Sequence, residues 1–70
     1  MAVRGTVTKV GAGDRPYEAV FADGRYGGLF ESLRKAQEQI ELVAGSGKLL
    51  KWTTVALGPT GIECFEGSDP

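Results

Sequence analysis

The sequence predicts an α+β domain: one helix across one face of a single antiparallel sheet of four to five strands, in the order β-β-(β)-α-β-β. Three observations predict it. Leu33, Ala36, Ile40, Val43 and Ala44 recur at three- and four-residue steps, which lays them on one stripe of a helix. Short β-branched and aromatic segments flank that stretch, separated by turns rich in Gly, Pro and Asp. The 70 residues suffice for one domain, residues 1–70, and leave no room for a second layer of sheet.

Val3 to Val10 is rich in β-branched residues and stops at Gly11-Ala12-Gly13-Asp14, which reads as a strand and a turn. Tyr17 to Ala22 reads as a second strand, with Pro16 at its start, where a missing N–H is tolerated. Asp23-Gly24 predicts a tight type I′ hairpin, a turn whose central residues both need positive φ. A short third strand over Arg25 to Leu29 follows, with Gly27-Gly28 marking a bulge or the approach to the helix. Ser32 is placed to cap the helix, since its hydroxyl can accept from an amide of the first turn, and Gly45 supplies a left-handed stop near residue 44. Glu31, Arg34, Lys35, Glu38, Gln39 and Glu41 fall largely on the other, solvated side of that helix. Leu49 to Leu57 is the longest strand candidate, Gly58-Pro59-Thr60-Gly61 a turn, and Ile62 to Glu66 the last strand. Gly67 to Pro70 is expected to be a frayed tail.

A sheet covered on one face alternates apolar and polar residues along each strand. Here the alternation is imperfect, because Val20 and Ala22 share a face with Glu18, and Leu49, Val55 and Leu57 share one with Lys51 and Thr53. One short helix cannot cover both sides. Phe21 and Trp52 match Leu33 and Ile40 in bulk and are expected beneath the helix. The other face is then expected to expose Val20, Val55, Leu57 and Phe65, a docking surface for a protein partner or a second copy of the chain. Free strand edges offer such a partner another route, and the sequence does not indicate which strands they are.

The chemical inventory argues for binding and against catalysis. The chain has no histidine, so the usual general base is missing, and its carboxylates form no acid/base pair. A single cysteine, Cys64, allows no internal disulfide and has no metal-ligand spacing around it. Its neighbours Glu63 and Glu66 disfavour a thiolate. No phosphate-loop pattern accompanies the glycines. No cofactor and no metal are therefore expected. No apolar run reaches membrane-spanning length, and an unpaired thiol suits the cytoplasm. Eight basic and nine acidic residues give a net charge of −1, unlike the basic balance of a general nucleic-acid binder. The alternative to a protein partner is nonetheless nucleic acid, held by Arg4, Arg25, Lys48 and Lys51 with aromatic side chains between them.

The stretch from Tyr17 to Gln39, with Phe30, Ser32 and Ala36 at the start of the helix, resembles the hairpin-then-helix core of AP2-like and phage-integrase arm-binding domains. The resemblance covers roughly residues 17–44. It implies a sheet packed on a helix and a sheet face that reads DNA through basic and aromatic residues, mapping loosely onto Arg25 and its neighbours. The chain departs from that family in its net charge and in the extra hairpin over 49–66. In size and charge it also resembles small α+β inhibitors encoded by phage and mobile elements, which implies a protein target.

Overall fold

The computed structural model of the chain describes residues 3–11, 13–57 and 62–70, and the side chains of all of these except 56, 57 and 62. The elements are β1 (Val3–Lys9), β2 (Tyr17–Phe21), β3 (Tyr26–Phe30), α1 (Leu33–Val43), β4 (Lys51–Leu57) and β5 (Ile62–Ser68). The strands form one five-stranded sheet in the order β3-β2-β1-β5-β4, with every neighbouring pair antiparallel. This is the predicted α+β class, with the helix joining the two edge strands. The expected turn at 58–61 lies outside the described residues.

Local chemistry sets the ends of each element. The Ser32 hydroxyl accepts from the Lys35 amide at 3.3 Å and caps α1 as expected. The other end closes differently from the prediction. Gly45 is not left-handed; Ser46 (φ 56°) and Gly47 (φ 82°) are. Gly45 is needed for space instead, since a Cβ there would lie 2.8 Å from the Glu41 carbonyl oxygen. The β2–β3 turn also departs from type I′. Only Gly24 has positive φ, and the Gly24 amide donates to the Phe21 carbonyl at 2.9 Å. That is a three-residue loop with a left-handed glycine at its close, and the Asp23 carboxylate steadies it by accepting from the Arg25 amide. The register of β2 on β3 then shifts at Gly27-Gly28, so of the two readings of that pair, a bulge or the approach to the helix, the bulge is the one observed.

Paired residues share a face, so the register sorts the side chains. Val7, Ala19, Phe21, Trp52 and Phe65 lie on the helix side. Val7, Ala19, Phe21, Ala36, Ile40 and Leu50 form the buried core, and Tyr17, Phe30, Leu33, Ala44, Trp52 and Phe65 pack against it. Phe65 is therefore a correction to the expected docking face. It pairs with Val7 on one side and Thr54 on the other, and it packs against the core on the helix side. Gly67 and Ser68 correct a second expectation. They are the last residues of β5, and Gly67 is buried.

One row of the sheet explains that glycine. Phe21, Gly5, Gly67 and Trp52 lie side by side across β2, β1, β5 and β4. A Cβ on Gly5 would come within 2.8 Å of Ile40, and one on Gly67 within 2.7 Å of the Trp52 ring. The paired glycines form a trough that lets the fully buried Ile40 and the indole lie flat on the backbone.

Candidate functional site

The helix divides the sheet unequally. It touches β1, β2, β3 and, more lightly, β5, and makes no close backbone approach to β4. On the far side of the sheet, among the described residues, no element packs at all. Two rows of side chains cross that open face. One runs Tyr26, Val20, Thr6, Glu66, Thr53, and the other Leu29, Glu18, Thr8, Cys64, Val55. The result is a threonine floor with an apolar corner at Tyr26, Val20 and Leu29 and a smaller one at Val55 beside Cys64.

Two of the four sequence-selected interaction residues, Val20 and Val55, occupy this face, each partly exposed. Phe65 does not, and the side chain of Leu57 lies outside the described residues. Tyr26, 61% exposed, and Leu29, 42% exposed, belong to the face although the sequence does not place them on the protein-interaction surface. The signal that could have found them is the parity of β3 after its bulge, which the two glycines obscure. Cys64 sits buried in the face, its sulfur 3.6 Å from the Thr8 hydroxyl.

The alternative site residues gather elsewhere. Val3, Ser68 and Lys51 are aligned across β1, β5 and β4, so Arg4 and Lys51 lie at the end of the sheet where the β2–β3 turn and the close of α1 also sit. Arg4 lines one cavity with Ala44, Ser46, Lys48 and Asp69, and a neighbouring one with Phe21, Asp23 and Arg25. All four cations thus collect at one end of the molecule, and two of them are paired. Arg4 donates to both oxygens of Asp69, at 2.9 and 2.8 Å, and Arg25 donates to Asp23 at 2.6 Å while lying 5.4 Å above the Phe21 ring.

Those contacts shift the titration of the groups involved. The Arg4 hydrogen bonds hold the Asp69 carboxyl below the usual carboxylate range and push the guanidinium further up. The Arg25 amide, more than its guanidinium, holds Asp23 down. At the opposite end of the molecule, Lys35 lowers Glu31 through their side-chain hydrogen bond. The AP2-like reading needs cations on the sheet face itself. That face carries Glu18 and Glu66, with Lys51 at its margin.

Glu41 is the polar residue that the helical stripe misplaced. It is 5% exposed, not solvated. One carboxylate oxygen accepts from the Leu50 amide and from the Trp52 indole N–H, both at 3.0 Å, and the other lies 3.5 Å from Arg34. The contact ties α1 to the start of β4, the strand that the helix backbone does not reach.

The fold and this surface define a small α+β sheet protein with one face that no element covers among the described residues. A scan against family models finds no match, and comparisons with curated proteins and with solved structures find none either. Among the described residues no helix is long and apolar enough to cross a membrane.

Proposed function

We propose that the chain is a small non-enzymatic binding module that engages a protein partner on its open sheet face, acting as an inhibitor or regulator of that partner in the cytoplasm. The observation that carries the reading is the apolar corner formed by Tyr26, Val20 and Leu29 on a face that, among the described residues, no layer covers. Threonines surround it, giving a rim whose hydroxyls can hydrogen-bond in either sense. Glu18 and Glu66 make the face acidic and favour a partner with a basic or neutral surface. The test is affinity capture from the native host with wild type and with Tyr26→Glu. Tyr26 is exposed, so the substitution should leave thermal unfolding unchanged while abolishing capture. Equal recovery of the same partners by both proteins would refute the reading.

A second reading has its own support. Arg4, Arg25, Lys48 and Lys51 share one end of the molecule, which is where a nucleic-acid backbone would be held. Binding that weakens steeply with salt, and that is lost with Lys48→Glu and Lys51→Glu together, would support it. No binding to DNA or RNA at low salt would remove it.

A further inference from the structure

The sheet has two edges of opposite character. β3 is short, breaks register at Gly27-Gly28 and is packed under α1. Bulges and short strands of this kind blunt an edge against further pairing. β4 is longer, pairs with β5 over all seven of its residues without a shift, and contains no proline. Among the described residues nothing pairs with its outer side. Its only charge is Lys51, at one end. Thr53 and Thr54, near the middle, are exposed.

We propose that β4 pairs with the β4 of a second copy, antiparallel and centred on Thr54, joining the two five-stranded sheets into one. The sequence of the strand fits this two-fold arrangement. Centring on Thr54 places Thr53 opposite Val55, Trp52 opposite Ala56 and Lys51 opposite Leu57. No like charges meet, β-branched residues face each other, and the large indole falls across from the smallest side chain. The pairing is self-limiting. β4 meets its own symmetry mate and β3 is blunted, so the contact closes as a dimer and does not propagate as a fibre. The open face stays uncovered in such a dimer, so this inference is independent of the binding function proposed above.

Sedimentation of the full chain at high micromolar concentration tests it. Wild type is expected to be a dimer, and Thr54→Lys, which brings two ammonium groups together at the two-fold axis, a monomer. Thermal unfolding of Thr54→Lys at low concentration should match wild type, because Thr54 is exposed in the single chain. Val20→Glu, on the open face, should remain dimeric. A monomeric wild type, or a dimer that survives Thr54→Lys, overturns the pairing. A dimer lost with Val20→Glu and kept with Thr54→Lys also overturns it, and would place self-association on the open face. In a Cys64→Ser background, Thr54→Cys should oxidise to a disulfide-linked dimer. Opposed Cα atoms in an antiparallel pair lie about 4.5–5.5 Å apart, within disulfide reach. Absence of that crosslink counts against the pairing as well.

Discussion

The two halves of the sheet are held together by different means. β1, β2 and β3 lie under α1 and are stabilised by ordinary burial, with Val7, Ala19, Ala36 and Ile40 fully enclosed. β5 and β4 lie largely beyond the helix and depend on a few specific contacts. These are Trp52 laid over Gly67, Phe65 against Val7, and the Glu41 carboxylate reaching down to Leu50 and Trp52. A single helix thus anchors a wide sheet by packing over one half and hydrogen-bonding to the other.

Substitutions can separate the two halves. Ile40→Ala, in the covered half, is expected to cost the most, about 4 kcal/mol, because it removes a fully buried side chain over an unyielding trough. Urea unfolding followed by far-UV circular dichroism measures it. Glu41→Ala comes next at about 3 kcal/mol, since it strands a backbone amide and an indole N–H. Glu41→Gln keeps an acceptor and should lose less than half as much. If the halves are joined as described, Trp52 fluorescence in Glu41→Ala should change at lower urea than the circular dichroism does. Coincident transitions would show that the sheet unfolds as one unit.

Gly67→Ala is expected to cost about 2 kcal/mol by pushing against the Trp52 ring, with a shift in the emission of native Trp52. Unchanged emission would mean that the indole does not rest on that glycine. The smallest effect concerns pH. Asp23, Glu31 and Asp69 titrate below their ordinary range when folded, so each contributes stability above its unfolded pKa that is lost as pH falls through the folded one. Urea midpoints should be level near neutrality and fall below about pH 4, and high salt should flatten part of that fall. Arg4 moves in the opposite direction, and its contribution is fully present at any pH below the ordinary arginine range.

Much of this architecture was legible in the sequence, and the failures share one cause. The helix spacing of Leu33, Ala36 and Ile40, the Ser32 cap and the bulge at Gly27-Gly28 are local signals, and each element falls within a few residues of its expected bounds. Phe65, Glu41 and Gly67 were misread because their roles depend on distant partners. The face of Phe65 is fixed by its pairing with Val7, far away in the chain. Glu41 is buried only because the segment after the helix folds back to present Leu50 and Trp52. Gly67 looked like a break because a glycine gives no hint that an indole needs its space. The site was less legible than the fold. Val20 and Val55 could be placed by alternation, whereas Tyr26 and Leu29 required the register across the bulge.

The placement of β1 has a consequence for how the chain assembles. The first strand lies in the middle of the sheet, and one of its neighbours is the last strand. The seam between them joins residues some sixty positions apart, such as Val7 and Phe65. During synthesis β1, β2, β3 and α1 can associate as soon as they are made. The outer edge of β1 then waits, its backbone groups bonded only to water, until β5 emerges. Loop-closure entropy across nearly the whole chain is opposed only at that last step. Folding should therefore be slower than the size of this domain suggests, and the nascent chain is most prone to wrong strand pairing until β5 has emerged.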